Sequence, residues 1–213
     1  MDRGIDKLNN ISEFDFEEYM DEFFDLMDIT EEQKEKRKEV AREMRSTLLL
    51  LFALCFATLK AGYDDYAFIL TMFYDNLLEI ATKYSRDDAY IREYADQVSN
   101  DIFSITMLHN EPLTEDNYYF SDERASGIAV NEANSVLNYE ELAEAYESGA
   151  THKTWHTMKD KWVRKEHSRL EGKTIPLEEK FHVGNSELMF PRDEVNCDDL
   201  ADISNCRCSL TFS

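Results

Sequence analysis

Two cysteines stand one residue apart near the end of the chain, within Ser-Asn-Cys-Arg-Cys-Ser-Leu-Thr-Phe at positions 204–212. Thiolates and imidazoles suit zinc, so His167, Cys197, Cys206 and Cys208 are the candidate ligands of a zinc site. The Cys-x-Cys spacing is tighter than zinc knuckles favour. On an extended segment it aims both sulfurs at one face, which equally suits two small buried hydrophobes. The spacing leads to the expectation of a structural clasp, with no resident metal and no cofactor.

A second group is Asp160, Arg164 and His167. On a helix, Arg164 and His167 share a face because they are three residues apart. One reading makes His167 a general base oriented by Asp160. The other is a polar network that holds the loop ahead of a sheet. No Gly-x-Ser-x-Gly elbow, His-Glu-x-x-His helix or phosphate loop accompanies these residues. No cysteine sits in a nucleophile context, so the expectation is a non-enzyme with no small-molecule substrate. A zinc-dependent hydrolase would need the cysteine–histidine set above.

The same stretch is the one basic part of an acidic chain. Residues 151–175 carry 7 bases and 3 acids, whereas residues 1–30 carry 2 bases and 10 acids, and residues 61–150 carry 4 and 19. Over 213 residues the formal charge is −22, a surface that repels a phosphate backbone. Any contact with DNA falls to Lys159, Lys161, Arg164, Lys165 and Arg169, and is expected to be weak and salt-sensitive. The same bases also fit an acidic partner or the chain's own acidic helices. Trp155 and Trp162 flank them, either as stacking platforms for bases or as core anchors.

The elements that position these residues divide into two grammars. From Ile5 to Glu111 there is no proline and one glycine, Gly62, which predicts long helices. Ser12 with Asp15 reads as a first helix start, and Phe16, Met20, Phe23 and Phe24 follow at helical spacing. Thr30-Glu-Glu-Gln33 is a capping box for a helix ending at Gly62. A third helix is predicted over 63–84, a fourth from Ser85 and Asp88, and a fifth from Ser121 to a C-terminal Gly149. The acidic, aromatic stretch 13–28 reads either as a partner-docking helix or as a core helix with a solvated face. After Gly149, short alternating runs at 153–157, 173–177, 187–190 and 207–212 predict strands, with an amphipathic segment at 159–172. The fold class is therefore α+β: a helical bundle at 1–109, a proline-containing connector at 110–120, and a small α+β domain with a short sheet at 121–213. Each half is expected to own a core, so that the second folds without the first.

Four cysteines in a chain of this size make no disulfide framework. The opening MDRGIDKLNN lacks a signal-peptide pattern, so synthesis in a reducing cytoplasm with free thiols is expected. The most apolar run, Leu48 to Leu59, falls well short of the roughly 20 residues of a membrane span, so no membrane anchor is expected.

The ordered set Ala-Tyr-Glu-Ser-Gly149, Lys-Thr-Trp155-His-Thr, Asp160, Val-Arg164-Lys-Glu-His167, Gly172, Phe181, Met-Phe-Pro-Arg-Asp193 and Asn205-Cys-Arg-Cys208, with Glu132 on the preceding helix, resembles the phage Mu protein F-like (MuF) minor head protein domain. The resemblance covers roughly 121–212 and makes Glu132, Trp155, Asp160, Arg164, His167, Gly172, Phe181, Asn205, Cys206, Arg207 and Cys208 the family's structural signature. It implies a phage minor head protein, made in the bacterial cytoplasm and carried in the virion. Such a protein associates with portal or head proteins in few copies, with roles in packaging or ejection. The alternative it implies is a virion-delivered effector, since MuF-like domains also occur joined to toxins; no catalytic motif marks the N-terminal half. The chain departs from the pattern at Val130-Asn131, where many relatives have Arg-Thr. It departs again at Ile203-Ser204, where many have His-Pro and with it one more potential metal ligand.

Overall fold

A computed structural model describes residues 14–63 and 66–213. The described helices are α1 (Phe16–Phe24), α2 (Glu31–Lys60), α3 (Tyr66–Tyr84), α4 (Ala89–Leu108), α5 (Asp122–Ser148) and a single turn, α6 (Lys165–Ser168). The strands are β1 (His152–His156), β2 (Thr174–Pro176), β3 (Phe181–Val183), β4 (Ser186–Leu188) and β5 (Ser209–Phe212). The α+β class expected from the sequence is the observed one.

The helix signals act through their backbone chemistry. Thr30 Oγ1 accepts from Gln33 N at 3.2 Å and Gln33 Oε1 accepts from Thr30 N at 2.8 Å, so the capping box satisfies two orphan donors of α2. Ser121 caps α5, and Gly149 ends it with φ 80°, a left-handed turn that glycine adopts without strain. Two starts differ from expectation. Asp15 caps α1, and Ser12 lies outside the described residues. Asp88 caps α4, while Ser85 instead donates to Glu140 on α5. Within the amphipathic segment 159–172, one helical turn forms at Lys165–Ser168. Lys159 has a left-handed φ of 56°, and the loop on either side of α6 closes onto β1 through the Gly172 N–H, which donates to the Trp155 carbonyl.

α1 buries Phe16, Met20, Phe23 and Phe24, while Glu17, Glu18, Asp21, Glu22 and Asp25 stay exposed. Its apolar side is therefore core, with a solvated acidic face, rather than a free docking stripe. Lys38 on α2 ion-pairs with Asp21 and Asp25, and Arg42 with Glu17.

β1 is central in an antiparallel sheet of order β2-β1-β5, with Trp155 opposite Leu210 and Lys153 opposite Ile175. β3 and β4 form a separate hairpin. The β3 strand was missed in the sequence, although its Gly184-Asn185 turn between short runs is a hairpin signal. A Cβ at Gly184 would meet Asp202 Oδ1 at 1.9 Å, so only glycine lets that carboxylate accept from Asn185 N and Ser186 Oγ.

The apolar interior forms two clusters joined by α5. Ala125, Ala129, Val130, Ala133, Val136 and Leu137 belong to the helical core of α1–α4. Leu142 and Ala145, further along the same helix, belong to the core under the sheet with Trp155, Phe181 and Phe190. The helical core thus runs across the 110–120 connector. The two hydrophobic grammars do not mark two independent cores, because one helix serves both.

Two outcomes follow. A fragment 121–213, which would uncover the α5 face that packs on α2, is expected to show no cooperative denaturant transition, whereas the full chain shows one. Arg37 of α2 is fully buried between Asn134, Asn138 and Glu141 of α5. Arg37→Ala, which strands those groups, should cost about 3–5 kcal/mol in urea unfolding.

Candidate functional site

The segment ahead of β5 turns at Asn205, whose φ of 52° is left-handed, and then runs extended through Cys206-Arg-Cys208. Alternation sends both sulfurs inward. Arg207 points to the other side, where Nη2 donates to Asp160 Oδ2 at 2.7 Å. α6 lowers His167 onto the two cysteines, and Nδ1 lies 3.4 Å from Cys206 Sγ and 3.4 Å from Cys208 Sγ. All three residues are buried, and their ligand atoms lie within 4.8 Å of one another. Cys197, the fourth candidate, does not join them. Its thiol donates to the Asp199 carbonyl and neighbours Ser186 Oγ, beside the β3–β4 hairpin.

Asp160 does not orient His167. Its carboxylate accepts from Arg207 and from Trp162 N, and the imidazole Nε2 instead meets the Asp202 carbonyl oxygen at 2.7 Å. Arg164 Nη2 and Nε also approach Nε2, at 3.0 and 3.3 Å, and Nδ1 is the ring nitrogen that faces the two sulfurs. The Arg164 guanidinium lies over the same edge and donates to the Asp202 and Ser204 carbonyls. The network expected from Asp160, Arg164 and His167 is thus split between two anchors. Burial alone would raise the Cys206 thiol, yet hydrogen bonds from Cys208 and His167 outweigh it and hold the group well below its ordinary value. Cys208 is pushed well above, by its hydrogen bond to Cys206 and then by burial.

Trp155 is fully buried, edge-on to Phe181 at 5.0 Å and to His167 at 5.8 Å, and so is a core anchor. Trp162 is 71% exposed, and Lys161 Nζ lies over its ring at 4.7 Å. The basic surface is smaller than the sequence count. Arg164 is turned inward onto carbonyls, Lys153 is buried against the Met189 carbonyl, Lys159 pairs with Glu171, and Arg169 pairs with Glu166. Lys161 and Lys165 are exposed.

A cleft of about 470 Å³ opens over the cysteine–histidine cluster. Tyr19 and Glu22 of α1 form one wall, Trp162 and Arg164 another, and Arg207 and Asn205 a third.

The remaining signature residues are structural in a stricter sense. Glu132 accepts from Tyr94 Oη at 2.9 Å and from Arg192 Nη2 at 2.9 Å, and Arg192 also holds Glu194 in a buried bridge. Arg192, Glu194 and Tyr94 escaped the sequence reading. Nothing in the Met-Phe-Pro-Arg-Asp run announces that its arginine turns inward, at a left-handed φ of 63°. Two carboxylates around one guanidinium leave one excess negative charge in a dry site. Burial pushes Glu194 up to about 8, with Glu132, Asp101 and Asp193 adding repulsion and Arg192 opposing. Burial also raises Glu132.

A raised carboxyl means that the folded state binds the proton more tightly than the unfolded chain, so stability falls as pH rises through the window between the two values. The melting temperature is expected to decline from about pH 5 to about pH 8, and Glu194→Gln should flatten that slope. An unchanged slope in the variant would place the titration elsewhere.

The helix α5, the cysteine–histidine cluster and the closing Cys-x-Cys segment lie in one stretch of chain that matches a family model described as Phage Mu protein F like protein, over residues 85–211. No curated protein and no solved structure gives a significant match. The family match starts at the head of α4, earlier than the resemblance at 121–212, and so includes both helices that clasp Glu132 and Arg192. It spans more than half of the 213 residues, and the chain belongs to the phage Mu protein F-like family, whose members are structural proteins of phage head morphogenesis.

Proposed function

We propose that this protein is a minor head protein that docks on the portal or head protein during procapsid assembly. In this reading it enters the particle in few copies and attends genome packaging or ejection. The observation that carries it is the family match across α4, α5, the cysteine–histidine cluster and the sheet. The absence of any helix among the described residues long and apolar enough to cross a membrane is consistent with a place in the particle.

The docking region lies in the helical half. Tyr63 just after α2, Tyr66 at the start of α3 and Leu108 at the end of α4 are exposed on an acidic chain. Apolar anchors inside a charged rim are the composition of a protein interface. Contact with packaged DNA is at most weak, through Lys161 and Lys165 with Lys159 and Arg169 at the margin, because the overall charge of −22 repels it.

The test is co-production with candidate portal and head proteins of the same phage, followed by quantitative mass spectrometry of purified particles. The expected result is incorporation at a few copies per particle. Tyr63→Asp with Leu108→Asp should abolish incorporation while changing stability by less than about 0.5 kcal/mol, since both side chains are exposed. Normal incorporation of the double variant would move the docking site off this end of the bundle, and exclusion of the unaltered protein from particles would overturn the reading.

A further inference from the structure

We propose that His167 Nδ1, Cys206 Sγ and Cys208 Sγ bind one zinc ion whose fourth position opens into the cleft. The proposal stands independently of the head-assembly reading. It departs from the expectation drawn from the tight Cys-x-Cys spacing, because spacing alone did not show that an imidazole closes the third corner.

Three observations converge. Zinc takes thiolate sulfur at about 2.3 Å and imidazole nitrogen at about 2.0–2.1 Å, so neighbouring donors in a tetrahedral site lie roughly 3.6 Å apart. The two nitrogen–sulfur separations are both 3.4 Å, so His167 needs almost no movement to ligate. The imidazole is also held at its far nitrogen. Nε2 lies 2.7 Å from the Asp202 carbonyl and 3.0 Å from Arg164 Nη2, outer contacts of the kind that orient metal-bound histidines, and they leave Nδ1 facing the sulfurs. Finally, Trp155 Nε1 is the one buried side-chain nitrogen or oxygen among the described residues without a hydrogen-bond partner. It is adjacent to Cys208, whose sulfur is the nearby acceptor. A neutral thiol is a weak acceptor, whereas a metal-bound thiolate accepts such an N–H.

Charge balance agrees with this assignment. Two thiolates neutralise the divalent ion, and the site then imposes no net charge on the buried surroundings beside Arg164. Binding the metal releases the thiol protons to solvent, with no redox change. A clasp of two reduced thiols would use the same packing, but it leaves the indole N–H of Trp155 without a strong partner. Three protein ligands with an open position is the arrangement of zinc sites that hold water or an outside ligand, and here the open side faces Glu22, Tyr19 and Trp162.

The experiment uses the full chain, purified under reducing conditions without a metal column. Elemental analysis should find about one zinc per chain, and a chromophoric chelator should compete for it only at sub-micromolar affinity or tighter. After stripping, cobalt(II) should bind one to one, with thiolate-to-cobalt charge-transfer absorption and the intense visible bands of a tetrahedral site. Cys206→Ser and Cys208→Ser should each remove that absorption and lower metal content at least about tenfold, whereas Cys197→Ser should leave both unchanged. Should the two variants fail to fold, the cobalt spectrum and chelator competition of the unaltered protein still decide the matter. A folded, reduced protein that holds no zinc and gives no charge-transfer absorption overturns the proposal. So does a Cys206–Cys208 disulfide in protein isolated without oxidant, or a spectrum lost in Cys197→Ser alone.

Discussion

The polar stripe buried along α5 is the constraint on which the rest of this molecule depends. From Ala129 to Asn138 every residue of the helix is buried, so the helix has no solvent face there. Asn131, Asn134, Ser135 and Asn138 therefore need partners inside the protein, and they find them on two sides. The C-terminal loops supply Asn205 Oδ1 and the carbonyls of Cys206, Arg192 and Pro191, while Arg37 of α2 donates to Asn134 and Asn138. Asn134 and Asn138 use both ends, one toward the bundle and one toward the loops, while Asn131 bonds its own helix and the loops through Gly127, Asn205 and Arg192. A hydrophobic seam in that position would hold as well but would tolerate sliding. Paired amides do not, because a shift of one residue leaves buried donors unmet.

The cleft inherits its geometry from this stripe. Asn134 holds the Cys206 carbonyl and Asn131 holds the Asn205 side chain, so the turn that aims the two sulfurs is pinned to the helix rather than to its own strand. The end of the chain is then secured by the sheet, where the Ser213 carbonyl accepts from Thr151 N and His152 N. α1 supplies the facing wall while burying its own aromatic residues in the helical core. Cleft, sheet and bundle are consequently coupled parts of one structure.

Charge explains what the surface offers. The basic residues that looked like a patch in the sequence are largely spent internally, on carbonyls and on neighbouring carboxylates. What remains outside is mostly acidic, a surface that repels a phosphate backbone. Buried Arg192 is bridged to Glu132 and Glu194, where the desolvation cost is offset by several hydrogen bonds at once, whereas buried Arg124 and Lys153 rest on hydroxyl and carbonyl oxygens.

By itself the sequence determined the helices, their caps and the α+β class. Those signals are local: Thr30 with Gln33, Ser121, and Gly149 act within four residues of themselves. The order of Trp155, His167 and Cys206-Arg-Cys208 was also enough to place the chain in its family. What only the tertiary structure decided is long-range. Periodicity could not show that α5 is wet on no side, because its small and polar residues look like a solvated face until α2 and the C-terminal loops cover them. Nor could it show that Arg164 turns from solvent to backbone carbonyls, that Cys197 stays apart, or that Arg192 enters a dry pocket. Each of these depends on which acceptors stand within hydrogen-bonding reach after folding; those of Arg164 and Arg192 lie 38 and 60 residues away along the chain, while Cys197 is kept apart by a carbonyl two residues on.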